Sequence, residues 1–297
     1  MDSDQPNVFS GPYIDRRSEE REDADWAQAA LEDPGTLYLL GSGTRHLVYT
    51  RPEPRIAFLE NGGWTVAAAS DLVLLGWFRE RRCVRVELDP DSAMPIPQGA
   101  SFEELRPLTP LLAGEEAGLL AYARALSVWR ARQRYCGACG AATVSQRAGH
   151  CMRCSNEDCA QEFFPRLDPA IIVLVSDGER ALLGRQASWP AGRYSTIAGF
   201  VEPGESLEDA VAREVMEETG VPVGCARYDS SQPWPFPASL MIGFRAWAPA
   251  DSRPERASGE LEDVRWFTRE EIHSGAALLP PGHSISHRLI RSWLEGK

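Results

Sequence analysis

The sequence predicts an α+β protein of two domains joined by a small cysteine-rich insert. Its 297 residues exceed one average domain and are enough for two hydrophobic cores. Short apolar runs separated by glycine, proline and charged turns fill residues 1 to about 112, which is typical of a small, mostly β domain. Strand-like and helix-like segments alternate toward the C-terminus, and five of the seven cysteines lie between the two regions.

The individual elements follow from apolar periodicity and turn residues. In the N-terminal region the predicted strands are TLYLL, HLVYT, RIAFLE and CVRVEL. A helix is expected from Glu115 to about Arg134, leading into the cysteines. After them, Ile171 to Val175 and the segment ALLG form a predicted hairpin that turns at Asp177 and Gly178. Further strands are expected around SLMIGFRAWAP and VRWFT, and a closing helix in SHRLIRSWLEG.

Composition and charge exclude several classes of protein. With 43% hydrophobic and 25% charged residues the chain resembles a globular protein, and no apolar run approaches the roughly 18 residues of a membrane span. The N-terminus lacks the pattern of a signal peptide, so a cytoplasmic location is expected. The net charge of −12 opposes nonspecific attraction to nucleic acid or anionic lipid. A polyanionic substrate would therefore need a metal ion or a local cluster of arginine and lysine.

The cysteine cluster predicts a zinc site in a reducing compartment. It offers two close pairs separated by fourteen residues, Cys136 with Cys139 and Cys154 with Cys159. Cys151 makes an alternative pair with Cys154, and His150 is a further conceivable ligand, so spacing alone leaves the ligand set open. Four thiolates would leave no open coordination position, which predicts a structural zinc. The two outlying cysteines, Cys83 and Cys225, are expected to be buried.

The segment GESLEDAVAREVMEETGV, residues 204–221, predicts a helix whose apolar face turns acidic. Ser206 is the expected N-cap and Gly220 the expected C-terminal left-handed residue. At about 100° per residue, one stripe begins with three apolar residues and continues onto three glutamates. The apolar members are Leu207, Ala210 and Val211, and the acidic members are Glu214, Glu217 and Glu218. Carboxylates placed so closely repel one another wherever water is scarce.

A magnesium site would explain this arrangement, because a hard cation takes carboxylate and phosphate oxygens as ligands. The preceding glycine-rich segment AGFVEPGE suits a loop whose backbone comes close to a ligand, and it adds Glu202 and Glu205. The competing interpretation is a solvated acidic face paired with arginine and lysine. The clash within the stripe, together with the loop, favours the metal site.

These residues also carry a family resemblance. Gly199, Glu205 and the run Arg213 to Val221 resemble the Nudix box, with every fixed position filled. Downstream, SQPWPFPAS at 231–239 is similar to the signature of the NADH pyrophosphatase (NAD diphosphatase) branch of Nudix hydrolases, which also carries a zinc ribbon before its Nudix domain. The resemblance implies a Nudix α/β/α sandwich at 167–297, a zinc ribbon at 131–166 and a mostly β N-terminal domain at 1–130.

The resemblance also implies roles for individual residues. The implied ligands of a catalytic Mg²⁺ or Mn²⁺ are Glu214, Glu217, Glu218 and Glu260. The implied water-orienting base is Glu218, with Glu217 as the alternative. The implied zinc ligands are Cys136, Cys139, Cys154 and Cys159, which leaves Cys151 as the spare. The implied nucleotide contacts are Phe164, Phe200, Ser239 and Ser286. Arg213 is expected to hold Glu205 and not to contact phosphate.

The function implied is hydrolysis of the pyrophosphate bond of NADH or NAD to nicotinamide mononucleotide and AMP. Removal of NAD caps from RNA and assembly as a homodimer are further properties of the family. One alternative is a Nudix hydrolase of another diphosphate, such as ADP-ribose or a dinucleoside polyphosphate. A second, of a different class, is a zinc-ribbon binding module with an inactive Nudix-like fold; the complete set of acidic positions argues against it.

Overall fold

The computed structural model describes residues 6–60, 71–89, 95–256 and 259–296. The chain divides into two compact units. The N-terminal unit comprises residues 11–166 and the short segment Pro235–Ala238, and the C-terminal unit comprises the remainder. Within the described residues, none of the helices is both long enough and apolar enough to cross a membrane.

The N-terminal unit is built on a mixed sheet of seven described strands. They are β1 (Ile14–Asp15), β2 (Leu37–Ser42), β3 (Arg45–Tyr49), β4 (Arg55–Ile56), β5 (Asp71–Phe78), β6 (Arg81–Glu87) and β7 (Ala100–Glu104). Their order is β1-β5-β6-β2-β3-β4, with β7 beside β3. The predicted strands TLYLL, HLVYT and CVRVEL are confirmed as β2, β3 and β6, whereas RIAFLE forms a strand only at Arg55–Ile56. Strand β5 was not predicted. It is largely buried and pairs along its whole length with β6.

Three described helices accompany this sheet, α1 (Ala24–Glu32), α2 (Leu105–Leu108) and α3 (Gly114–Arg132). Helix α3 confirms the predicted helix before the cysteines, and it carries a long run of buried residues. A separate antiparallel sheet follows, with β8 (Thr143–Gln146), β9 (Cys151–Cys154) and β10 (Glu162–Phe163). Cys136 and Cys139 lie at the turn before β8, and Cys154, the last residue of β9, is followed by the turn that carries Cys159.

The C-terminal unit is an α/β/α sandwich. Its strands are β11 (Asp168–Ser176), β12 (Arg180–Arg185), β13 (Ile197–Phe200), β14 (Cys225–Trp234), β15 (Ser239–Trp247) and β16 (Asp263–Thr268). Its helices are α4 (Leu207–Thr219), α5 (Arg269–His273) and α6 (Ile285–Leu294). The strand order is β14-β15-β11-β12-β16, with β13 beside β11, and β11 runs parallel to β15.

Strand β11 shows why the sandwich forms. Successive side chains of a strand point to opposite faces, and here both faces are apolar. Ile171, Val173 and Val175 belong to the core that includes Val211 and Val215 of α4. Ile172 and Leu174 belong to the opposite core, which includes α6. The continuous apolar run IIVLV therefore reflects a strand covered by helices on both sides.

The segment SQPWPFPAS is less of a loop than the sequence suggests. Its first four residues form the end of β14, and its last residue, Ser239, begins β15 opposite Trp234. Only Pro235–Ala238 make the turn. Pro233 is tolerated within the strand because β14 lies at the edge of the sheet, where one side needs no backbone donor.

Candidate active site

Helix α4 has the ends that the sequence predicts. The Ser206 hydroxyl accepts a 3.1 Å hydrogen bond from the Asp209 amide, and the Asp209 carboxylate accepts in return from the Ser206 amide. Gly220 ends the helix with φ of 68°, a conformation that glycine adopts without steric cost. These local signals fix where the helix starts and ends.

Gly199 on β13 lies directly against Glu214 of α4. A β-carbon at position 199 would lie 1.9 Å from the carboxyl carbon of Glu214, far inside van der Waals contact. Only a residue without a side chain leaves room for this carboxylate. The glycine of the predicted motif therefore serves packing within a strand, and not the loop that the sequence suggested.

Arg213 ties the acidic helix to the preceding loop, as predicted. Its Nε donates to Glu205 Oε1 at 2.5 Å and its Nη2 to Glu205 Oε2 at 2.9 Å. The same Nη2 donates to the carbonyl oxygen of Phe200 at 2.8 Å. Hydrogen bonds from Arg213 lower the pKa of Glu205 to about 2, so this carboxylate stays ionised. Arg213 is thus occupied within the protein.

Glu218 is the most buried of the site carboxylates, with 5% of the residue exposed. Burial, reinforced by the charges of Glu214 and Glu260 and by a hydrogen bond with Glu260, raises its pKa to about 8. Burial also raises the pKa of Glu214. Raised pKa values at Glu214 and Glu218 are the behaviour expected of carboxylates arranged for a positive ligand.

Glu217 departs from the predicted stripe. Its side chain is 57% exposed, whereas that of Glu214 is 12% exposed. Val215, and not Glu217, completes the buried face of the helix. Arg213 Nη1 donates to Glu214 Oε1 at 2.9 Å and to Glu217 Oε2 at 3.1 Å, so Arg213 bridges the two carboxylates. The acidic face is therefore graded from a buried Glu218 to an exposed Glu217.

Four cysteine sulfurs converge in the small three-stranded sheet. Among the described residues, Cys136, Cys139, Cys154 and Cys159 form the one group of three or more potential ligands compact enough to hold an ion, with all four sulfurs within 4.8 Å of one another. The Cys136–Cys159 and Cys139–Cys154 sulfur distances are 3.8 and 3.4 Å. Zn–S bonds of about 2.3 Å in a tetrahedron require sulfurs about 3.8 Å apart, so the cluster fits zinc.

The other possible ligands point elsewhere. His150 Nε2 lies 2.6 Å from the hydroxyl of Tyr122, and Cys151 is fully buried outside the cluster. Cys83 is buried as expected, but Cys225 is exposed because it begins the edge strand β14.

Two predicted nucleotide contacts in the C-terminal unit present side chains differently. Phe200 is 59% exposed at the end of β13, immediately after Gly199. Ser239 is largely buried at the start of β15. An exposed aromatic of this size beside the acidic helix is suited to stacking a flat ring.

Ser286 is buried, and its hydroxyl is already engaged. It lies 2.8 Å from the Ser195 hydroxyl and 2.9 Å from the Thr196 hydroxyl, and it accepts from the Thr196 amide at 3.2 Å. Ser195 and Thr196 directly precede β13. Ser286 thus anchors the strand that carries Gly199 and Phe200.

Phe164, in the N-terminal unit, is 53% exposed, while the neighbouring Phe163 is half-buried in β10. This agrees with the expectation that only one of two adjacent aromatic residues faces outward. The guanidinium of Arg147 lies 5.2 Å from the centre of the Phe164 ring and supports it from one side.

Gln232 is a structural residue that the sequence did not single out. It is fully buried, and its Oε1 accepts from the Ile285 amide at 2.8 Å. Its Nε2 donates to the carbonyl oxygens of His283 at 2.8 Å and Val8 at 3.2 Å. Gln232 therefore joins β14 to the start of α6, next to Ser286. A lone glutamine in a strand gives no sequence signal for such long-range bonds.

Family models match the chain in three consecutive parts. Residues 35–129 match an NADH pyrophosphatase-like rudimentary NUDIX domain, residues 131–164 an NADH pyrophosphatase zinc ribbon domain, and residues 166–293 a NUDIX domain. The protein named NAD-capped RNA hydrolase NUDT12 from Homo sapiens is 34% identical over 97% of this chain and 73% of its own length. The chain belongs to the Nudix family. NAD-capped RNA hydrolase NudC from Mycobacterium bovis is 42% identical over 71% of this chain and 70% of its own length.

The acidic helix and the cysteine cluster lie in different matched domains. The acidic helix α4 lies within the part that matches the NUDIX domain, and the four-cysteine cluster lies within the part that matches the zinc ribbon. The match to the NUDIX domain implies a divalent cation, and the match to the zinc ribbon together with the four-cysteine cluster supports a structural zinc. The mostly β region is itself a rudimentary Nudix domain.

Proposed function

We propose that this Nudix protein hydrolyses the pyrophosphate bond of NADH or NAD to reduced or oxidised nicotinamide mononucleotide and AMP. The observation that carries the proposal is the graded acidic face of α4, with Glu218 buried against Glu214 and Glu260 in a chain that also carries SQPWPFPAS. The zinc ribbon model that matches this chain is described as that of NADH pyrophosphatases, and two relatives are named NAD-capped RNA hydrolases.

The proposed ligands of the catalytic Mg²⁺ or Mn²⁺ are Glu214, Glu217, Glu218 and Glu260. When bound, the ion neutralises charge on the diphosphate and lowers the pKa of the attacking water. Glu218 accepts the proton of that water, with Glu217 as the alternative base. Oxygen from water bonds to one phosphorus while the bridging P–O bond breaks, and the two mononucleotides leave. Arg213 keeps Glu205 and the loop before α4 in place.

Substrate selection is proposed to rest on residues away from the carboxylates. Phe164 and Phe200 offer exposed rings for the bases, and Ser239 offers a hydroxyl near the end of β15. Ser286 contributes by fixing the segment before β13. Cys136, Cys139, Cys154 and Cys159 are the proposed ligands of the structural zinc.

Further properties belong to the same proposal. Removal of the NAD cap from RNA is a second proposed activity. It requires hydrolysis of the same pyrophosphate bond, because the cap contains the same diphosphate. We also propose that the protein is a homodimer and is located in the cytoplasm. The proposed domain boundaries lie at about residues 130 and 166. Light scattering of the purified protein tests the dimer.

A panel of nucleoside diphosphate compounds tests the function. With magnesium, the protein should release AMP from NADH faster than from ADP-ribose, and release AMP from NAD-capped RNA. Equal turnover of NADH and ADP-ribose would favour the rival, a broader Nudix diphosphatase. No release from any compound would favour the binding module.

A further inference from the structure

A turn of four residues, Pro235–Ala238, is held by helix α3 within the N-terminal unit. Arg124 Nη1 donates a 2.6 Å hydrogen bond to the carbonyl oxygen of Pro235. The guanidinium carbon of Arg124 also lies 5.0 Å from the centre of the Phe236 ring. Since Arg124 is 9% exposed, water competes little with either interaction.

A second arginine approaches the same ring. The guanidinium carbon of Arg106 lies 4.5 Å from the centre of the Phe236 ring. Glu104 Oε2 lies 3.9 Å from Arg124 Nη2 and partly balances the charge. Phe236 is therefore bound by two cations.

Burial of Arg124 at this position lowers the stability of the fold. Its Nε is buried and has no hydrogen-bond partner among the described residues. A buried guanidinium with an unsatisfied donor costs stability, and an apolar residue of similar volume would pack on Phe236 at lower cost. What an apolar residue could not supply is the directional bond to Pro235. Arg124 therefore serves to hold the turn in one geometry, and not to maximise the stability of the fold.

The turn connects the two residues at the end of the hairpin. Trp234 is the last residue of β14, Ser239 is the first of β15, and the two pair with each other. A shift of Pro235–Ala238 would move the start of β15 through the covalent chain. The Ser239 hydroxyl would move with it.

We infer that Arg124, assisted by Arg106, is a positioning residue for dinucleotide selection, which it serves by holding the Pro235–Ala238 turn that precedes Ser239. The inference rests on the proposed function. Both arginines belong to the same unit as the turn that they hold.

Two independent measurements test the inference on the full-length zinc-loaded protein. The variants are Arg124→Met, Arg106→Met and Phe236→Leu, and the matched control is Arg132→Met, an exposed arginine at the end of the same helix. Hydrogen exchange by mass spectrometry follows peptides covering 231–242, with 207–219 as the internal reference. Steady-state kinetics give kcat/KM for NADH and ADP-ribose, together with the magnesium dependence.

In Arg124→Met, exchange in 231–242 should become about 5- to 30-fold faster, with 207–219 unchanged. The ratio of kcat/KM for NADH to that for ADP-ribose should fall by about 3- to 10-fold through KM, without reversing the preference. Arg106→Met should show a smaller effect in the same direction and keeps the test valid if Arg124→Met does not fold. The control should match the wild type in both measurements.

The inference is overturned if folded Arg124→Met and Arg106→Met show wild-type exchange in 231–242. It is also overturned if exchange rises while the substrate ratio stays constant. A wild-type protein that does not prefer NADH, combined with faster exchange in the variants, would overturn the proposed function and still support the clamp on the turn.

Discussion

The carboxyl group of Glu214 occupies the space in which a side chain at Gly199 would stand. A β-carbon there would come within 1.9 Å of the carboxyl carbon, so this carboxylate keeps its position only with glycine at 199. The contact couples a glycine of strand β13 to a proposed metal ligand. Any side chain at 199 must push the carboxylate away from its position beside Glu218.

Gly199→Ala should therefore lower turnover by at least about 10-fold and weaken the apparent affinity for magnesium, because Glu214 is displaced. Kinetics over a magnesium titration measure both. Gly224→Ala is the matched control, since no atom lies within 4 Å of a β-carbon at 224. Wild-type magnesium dependence in a folded Gly199→Ala variant would show that Glu214 is not a ligand.

Glu218→Gln should lower turnover by about 100-fold or more, the effect of losing a positioned base. The substitution keeps the size of the side chain but cannot accept a proton from water. Glu208→Gln, an exposed change in the first turn of the same helix, should retain turnover. If Glu218→Gln retains near-normal turnover, the base is another residue, and Glu217→Gln becomes the next variant to measure.

The same substitution should change how stability depends on pH. The pKa of Glu218 is raised from 4.5 to about 8 in the folded protein. A raised pKa means that the stabilising contribution is complete below about 4.5 and is lost as pH rises through about 8. At about 1.36 kcal/mol per unit, the upper bound of this loss is about 5 kcal/mol.

Urea unfolding without added magnesium, from pH 4.5 to 8.5, measures this loss. Wild-type protein should become less stable across the interval, and Glu218→Gln should remove much of the decline. Glu208→Gln should keep the wild-type slope. Parallel curves for wild type and Glu218→Gln would contradict the assignment of the raised pKa.

The sequence predicts helix α4 and the cysteine cluster well because their signals are local. Ser206, Asp209 and Gly220 lie within one helix, and each cysteine pair spans one tight turn. The spacing left Cys151 and His150 open as ligands. The structure places neither in the cluster. Cys151 is fully buried outside it, and His150 Nε2 lies 2.6 Å from the hydroxyl of Tyr122.

The interactions that the sequence could not predict join residues far apart in the chain. Arg124 contacts Pro235 across 111 positions, and Gln232 contacts Ile285 across 53. Periodicity also assigned Glu217 to the buried stripe, although Val215 fills that place. Periodicity defines a face of the helix about 100° wide, and tertiary packing decides which residues of that face are buried against the sheet.

The zinc ligands can be separated from the spare cysteine by substitution. Cys139→Ser and Cys159→Ser should each lose the zinc and much of the folded stability, because thiolate ligands couple metal binding to folding. Cys151→Ser should retain about one zinc per chain. Elemental analysis and thermal unfolding measure both properties. Loss of zinc from Cys151→Ser with retention in Cys159→Ser would reverse the ligand assignment.

Substrate preference tests the exposed aromatic residues. Stacking a base on an aromatic ring contributes about 1 to 3 kcal/mol, by analogy with single-stranded nucleic acid, and NADH carries a second base that ADP-ribose lacks. Wild-type protein should therefore favour NADH by roughly 10-fold or more in kcat/KM, at about 1.4 kcal/mol per decade. Phe164→Ala and Ser239→Ala should each reduce this preference and leave the magnesium dependence intact.

Tyr228→Ala is the matched control, since Tyr228 is an aromatic residue of similar exposure, 62%, on the edge strand β14. It should keep the wild-type preference. Arg147→Met should lower the preference less than Phe164→Ala does, because it removes only the cation beside the ring and leaves the stacking face. If Phe164→Ala, Ser239→Ala and Arg147→Met all keep the wild-type ratio of kcat/KM for NADH to that for ADP-ribose, neither Phe164 nor Ser239 selects the substrate. The preference for NADH would then come from other residues, since the diphosphate and its metal ion are common to both substrates.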